Sequence, residues 1–182
     1  MDELAQEPAA FDALFRHFHP RLVRFLSKQL EGSLVDAEDV AQEAMVKAWR
    51  KRERFDARYQ FSTWVYTIAR RTAADHLRKN RRFENRDPQD FAAATTDSPS
   101  QSFDDSDSAE QIWKTAEQIL SPRQYAAIWL RYGEEMSIKE VAKALSKTSV
   151  STRVLLHRAR TTLQSHLAQT ACSDQQRENT NR

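Results

Sequence analysis

The 182-residue chain holds one cysteine, two glycines and five prolines. A lone Cys172 excludes an internal disulfide framework and any cysteine-based zinc site. So little glycine makes a turn-rich sandwich or barrel a poor expectation, and a glycine-rich phosphate loop likewise. No apolar run approaches the roughly 20 residues that a bilayer crossing needs, so no membrane insertion is expected. The acidic start Met1-Asp2-Glu3-Leu4 lacks the basic and apolar blocks of a secretory leader. His17, His19, His76, His157 and His166 show no metal-ligand spacing with carboxylates, and no nucleophile motif is present. No metal, cofactor or catalytic residue is therefore expected. What remains is the expectation of a soluble, cytoplasmic, all-α protein, with 40% hydrophobic residues arranged in helical periods.

Charge is present but segregated. The net value of +2 is made of +4 over residues 1–82, −7 over residues 83–111 and +5 over residues 112–182. Two basic blocks thus flank an acidic spacer. Between Glu84 and Glu110 lie Pro88, Pro99 and the run Ser102-Phe-Asp-Asp-Ser-Asp-Ser108, which can bury little surface. The expected organisation is two small helical domains, residues 1–83 and 111–170, joined by a flexible acidic linker at 84–110. A polar tail at 171–182 is expected to fray.

In the first domain, Phe11, Leu14, Phe15, Phe18, Leu22, Phe25, Leu26 and Leu30 recur at intervals of three and four. That predicts one long amphipathic helix, bent at Pro20 and ended by Gly32. A second helix starting at Asp36 turns Val40, Ala44, Ala48 and Trp49 inward. After the loop Phe55–Phe61, Ser62 is expected to cap a third helix with Trp64, Ile68, Ala73 and Leu77 inside. The second domain opens with a helix over Ile112, Ala116, Ile119 and Leu120. Ser121-Pro-Arg-Gln124 and Ser137-Ile-Lys-Glu140 are capping boxes for two more helices, the first stopping at Gly133 and the second at Leu145. A last helix runs from Thr148 to Leu167, with Thr152, Leu156, Ala159, Leu163 and Leu167 inward.

Three clusters point to chemistry. The final pair of helices forms a helix-turn-helix pattern, and from Val141 to Ala168 there are five Lys/Arg and no acid. Ser149, Arg153 and His157 share the outer face with Ser151 nearby, and Arg158 and Arg160 follow. A helix fits the major groove and arginine can hold a guanine edge with two hydrogen bonds, although a basic helix in a bundle can also be plain solvated surface. The third helix ends in Arg70–Arg82, six basic residues and one acid, downstream of Phe55, Tyr59, Phe61, Trp64 and Tyr66. Basic charge beside aromatics suits single-stranded nucleic acid; equally, Phe61 and Trp64 suit a core. Asp36, Glu38, Asp39, Gln42 and Glu43 crowd the first turns of the second helix, where acids meet the helix dipole or form a protein-contact face.

The stretches Asp36–Trp49, Arg54-Phe-Asp56 and Phe61–Leu77 resemble the promoter-melting domain of bacterial sigma factors. Leu120–Gln124, Ser137–Leu145 and Leu156–Arg160 resemble their −35-reading domain. Two domains with no third between them resemble the small extracytoplasmic-function branch of that family, over about residues 10–168. The resemblance implies that Asp36, Asp39, Gln42 and Glu43 dock on the β′ clamp of core RNA polymerase. It gives Phe61, Ser62, Thr63 and Trp64 the opening of the −10 element, and Arg70, Arg71, Asp75, His76, Arg78 and Lys79 the facing of −10 DNA. The helix face read above then makes Ser149, Ser151, Arg153, His157, Arg158 and Arg160 the expected −35 contacts. Core polymerase (β′ clamp and β flap), promoter DNA and an anti-sigma factor are the implied partners, and the linker is implied to thread the polymerase cleft. The turn departs from the family: Ser146, Lys147 and Thr148 stand where glycine, an aliphatic residue and serine are usual. Thr152 stands at a usually aliphatic position and Leu155 where arginine is common. A free-standing helix-turn-helix regulator would explain the second domain but leaves the two blocks of the first without a place.

Overall fold

The computed structural model describes residues 8–30, 33–56, 58–84 and 107–180. They form seven α-helices and, among the described residues, no strand: α1 (Pro8–Gln29), α2 (Leu34–Arg50), α3 (Phe61–Glu84), α4 (Asp107–Ile119), α5 (Pro122–Ile128), α6 (Ile138–Ala144) and α7 (Ser149–Thr180). A short 3-10 turn, Arg52–Arg54, follows α2, and a π-helical turn, Trp129–Gly133, continues α5.

Helices α1, α2 and α3 pack on one another as the first bundle; α4, α5 and α6 pack around α7 as the second. In the first, Leu22, Phe25 and Leu26 meet Ala37, Val40, Ala41, Ala44 and Met45 with no solvent exposure beyond about 1%. Small alanines on α2 let the large side chains of α1 approach its backbone. The second core is built on Leu120, Tyr125, Leu130, Met136, Val141 and Ala159.

Several expectations are corrected. The cap of α2 is Ser33, whose hydroxyl accepts from the Asp36 amide at 3.3 Å, so the helix begins at Leu34 and Asp36 lies in its first turn. Ser62 does not cap α3: it is the second helical residue and donates to Gln60 Oε1 at 3.4 Å. The buried stripe of α3 is Val65, Tyr66, Ala69 and Ala73, with Trp64, Ile68 and Leu77 only half covered. Both capping boxes form as expected, each with its two reciprocal bonds. Helix α7 runs past Leu167 to Thr180, so residues 171–180, expected to fray, are helical; Leu167 itself is 41% exposed because the inward stripe ends at Leu163. Residues 107–110, read as linker, belong to α4. The expected helix stop at Gly32 and the expected linker over 85–106 lie outside the described residues.

Candidate nucleic-acid interface

Three surfaces gather the residues singled out above. On α2, Asp39, Gln42 and Glu43 are exposed, and Glu43 pairs with Lys47 Nζ at 2.7 Å along the helix. Val35 (71% exposed) and Val46 (40% exposed) continue their stripe at helical spacing. Asp36, with its side chain 40% exposed, lies beside α3, its carboxylate 3.3 Å from His76 Nε2.

The second surface is the start and outer side of α3. Phe61 is ringed by Phe11, Phe18, Phe55 and Trp64 at centroid distances of 6.4, 5.3, 5.8 and 5.6 Å. Its ring is thus part of the core edge, whereas Trp64 touches Phe55 and Phe61 and stays half exposed at the rim. Ser62 and Thr63 are buried. Arg71, Arg78 and Lys79 are exposed; Arg78 pairs with Asp75 one turn back, and His76 meets Asn80 at 3.0 Å.

The third surface is the helix-turn-helix. Helix α6 ends in a Schellman arrangement, with Ser146 N donating to Lys143 O at 3.1 Å and Lys147 N to Ala142 O at 2.8 Å. Ser146 consequently takes a left-handed φ of 51°, a conformation that usually calls for glycine. Thr148 caps α7 by accepting from the Ser151 amide at 3.1 Å. Ser151, Arg153, His157, Arg158 and Arg160 are exposed, Ser149 half so. Arg153, His157 and Arg160 rim a groove of about 510 Å³ floored by Tyr132, Ile138, Val154 and Leu156, and Arg160 reaches the Tyr132 hydroxyl at 3.4 Å.

What the sequence does not announce is that the second and third surfaces touch. The two bundles meet along α1 and α3 on one side and α4, α5 and α6 on the other. Arg24 clasps Glu110 with both nitrogens at 3.0 and 3.2 Å, and Gln29 donates to Pro122 O at 2.8 Å. At the centre, Glu134 Oε1 accepts from Arg21 Nε and from the Tyr66 hydroxyl, each at 2.7 Å, and Trp129 Nε1 donates to the Tyr66 oxygen at 3.0 Å. Burial first, then the Glu134 charge, push the Tyr66 phenol well above its usual range, so it remains a donor. Burial alone would lower the Arg21 guanidinium, but Glu134 outweighs it and raises it. Glu134 is placed there by the π turn before it and by Glu135, whose φ of 53° turns the chain back toward Met136. At the near edge Thr63 Oγ1 donates to Glu140 at 3.4 Å, Lys143 Nζ lies 2.9 Å from the Tyr59 ring centroid, and Arg70 donates to Ala144 O at 2.9 Å and Ser146 Oγ at 2.5 Å. Burial would raise the Glu140 carboxyl; its bonds from Ser137 and Thr63 hold it below the usual value. No local signal marks pairs such as Tyr66 and Glu134, which lie 68 positions apart.

No helix among the described residues is long and apolar enough to cross a membrane, and they contain no group of His, Cys, Asp and Glu placed to hold a metal ion.

Known families align with these bundles. Sigma-70 region 2 matches residues 14–83 and sigma-70 region 4 matches residues 114–163. The ECF RNA polymerase sigma factor RpoE of Cereibacter sphaeroides is 43% identical over 84 residues, 45% of each chain. SigG of Mycobacterium tuberculosis, another ECF RNA polymerase sigma factor, is 31% identical over 159 residues, 75% of this chain and 43% of that one. The chain spans less than half the length of these two relatives. The sigma factor RpoE solved in complex with the anti-sigma factor NepR from Bartonella quintana superposes with a TM-score of 0.69 at 26% identity, over 87% of this chain and 96% of that one. Two sigma-70 regions, in order on two helical bundles, place this chain in the sigma-70 family, in its extracytoplasmic-function branch.

Proposed function

We propose that the chain is a dissociable specificity subunit of bacterial RNA polymerase. Residues 1–83 act as the polymerase-docking and −10-opening domain, and residues 111–170 as the −35-reading domain on the β flap. The observation that carries this reading is the pairing, in one chain, of the exposed acidic stripe on α2 with two basic helices, α3 and α7. Asp39, Gln42 and Glu43, flanked by Val35 and Val46, address the β′ clamp, with Asp36 at the edge of the same face beside His76. Arg71, Arg78 and Lys79 neutralise phosphates of the −10 strand, and Trp64 stacks an unpaired base at the rim. Arg153, near the start of α7, reads a base edge, while Arg158 and Arg160 lie farther along, where phosphate contact is the natural role.

Magnitudes say what this protein cannot do by itself. Each opened duplex step costs about 1.4 kcal/mol of stacking. A base captured on an aromatic ring returns about 1–3 kcal/mol, so one ring compensates for a step or two and polymerase must supply the rest. The role is recognition and strand capture without covalent chemistry, performed in the cytoplasm. Because a relative of the same branch is solved with an anti-sigma factor bound, a protein inhibitor of that class is the expected regulator. Run-off transcription from a promoter library, with core polymerase plus or minus this chain, tests the reading. Transcripts that start at defined sites only when the chain is added support it; identical transcripts in both reactions overturn it.

A further inference from the structure

We propose that Val150 and Val154 select thymine: they form an apolar ridge on the outer face of α7 that meets the C5-methyl groups of two T·A pairs in the −35 element. The proposal rests on the reading of α7 as the −35 helix, and adds to it a base identity and the residues that choose it.

Helical geometry puts the two valines at the crest of the exposed face. Thr152, Leu156 and Ala159 are buried, and Leu163 packs against the same core. At 3.6 residues per turn, positions 150 and 154 both fall within about 30° of the direction opposite that stripe. Val150 is 67% exposed and Val154 46%, and Val154 also lines the groove beside Arg153, His157 and Arg160. Arg153 and His157 border the ridge on one side, Ser151 and Arg158 on the other, all four exposed. Neither valine is explained by the fold. So much exposure leaves them little apolar contact, and a β-branched residue is a poorer helix former than alanine. The Ser151 hydroxyl beside them is tied into the helix cap: it accepts from Thr148 Oγ1 at 3.0 Å, and the Ser151 amide donates to that Thr148 oxygen at 3.1 Å. The first two turns of α7 therefore present two isopropyl groups between cations.

The surroundings say what covers them. From Val141 to Ala168 the chain has five Lys/Arg and no acid, so the charge around the ridge selects a polyanion. Among the groups that the base pairs present in the major groove, the apolar one is the C5-methyl of thymine. The N-terminal residues of a recognition helix are those that reach base edges, and Val150 is the second residue of α7. Four residues along the helix are about 6 Å, against 3.4 Å per base-pair step, so the two valines span about two steps. Arg153 lies next to Val154 in the chain, which sets the guanine it reads within or beside that span.

The test uses the full chain joined to core polymerase, and a −35 element that this holoenzyme selects from a randomised pool. Each thymine of the element, on either strand, is replaced in turn by uracil, which keeps the hydrogen-bonding edge and lacks the methyl. With the parent chain, two positions about two steps apart should each lose about fourfold in affinity, the value of one buried methyl group. Val154→Ala should erase the loss at one of them and keep it at the other, and Val150→Ala should do the reverse, both at unchanged helicity. Arg158→Ala should weaken thymine and uracil promoters equally and so keep the ratio. A selected element without thymine, equal binding of the thymine and uracil promoters by the parent, or an unchanged ratio in both valine variants overturns the proposal. A hydroxyl-radical footprint separates that failure from failure of the reading beneath it. Protection of the −35 element without a methyl effect overturns the valine ridge alone, whereas no protection there overturns both.

Discussion

The Asp36 carboxylate lies 3.3 Å from His76 Nε2, joining the first turn of α2 to the middle of α3. One residue assigned to polymerase and one assigned to DNA therefore lie against each other. A charge change at Asp36 would disturb both surfaces at once, whereas Asp39 and Glu43 stand clear of the bundle. Asp39→Lys with Glu43→Lys should abolish co-elution with core polymerase while helicity stays unchanged. The Glu43–Lys47 pair that this change breaks is worth about 0.3–0.5 kcal/mol on an exposed helix, too little to unfold it. Normal co-elution of the double variant would remove α2 from the docking surface.

For the −10 face, Arg78 and Lys79 are the informative pair, because Arg70 already has partners on α6. Arg78→Ala with Lys79→Ala should weaken promoter complexes of the holoenzyme. The plot of log affinity against log salt should flatten by up to about one unit for each phosphate no longer neutralised. An unchanged salt slope assigns both side chains to solvent.

On α7, Arg153→Ala should relax preference at a single −35 position by about 1–3 kcal/mol against the favoured base, and Arg158→Ala should weaken all sequences alike. Selection from a randomised −35 element with each variant separates the two outcomes. The same sequence logo for Arg153→Ala and the parent would make Arg153 a backbone contact.

Stability should fall on the acid side through His19. Burial lowers its imidazole below the ordinary 6.5, against a smaller opposing pull from Glu38, and its ring stacks on Phe15 at 5.0 Å. The unfolded chain therefore takes up this proton first as the solution is acidified. The contribution is fully present above pH 6.5 and is lost as pH falls through the lower, folded value. His19→Gln should flatten the decline in denaturant midpoint below pH 6.5; a decline as steep as the parent's would place its origin elsewhere.

What is legible in the sequence is local. The capping boxes at Ser121 and Ser137 complete their bonds within four residues, so the sequence contains them whole. The start of α3 is less legible, because Ser62 before an apolar run has the composition of a cap. The backbone shows the helix already under way, since the Trp64 amide donates to Gln60 O at 3.4 Å. Polarity hides the length of α7, yet nothing after Gly133 is a glycine or proline that would stop a helix. The basic face of α7 and the acidic stripe of α2 are legible as charge at helical spacing. The meeting of Tyr66, Glu134 and Trp129 is not, since neither tyrosine nor glutamate carries a local mark of a partner in another bundle.

In the function proposed above, this chain, joined to core polymerase, selects a promoter and opens it. Permanganate footprinting of a linear promoter fragment, identified from the transcription library, measures that opening base by base. With core polymerase and the chain together, thymines around the −10 element should become reactive, and with either component alone they should stay protected. Reactivity with core polymerase alone, or none with both present, would contradict the account.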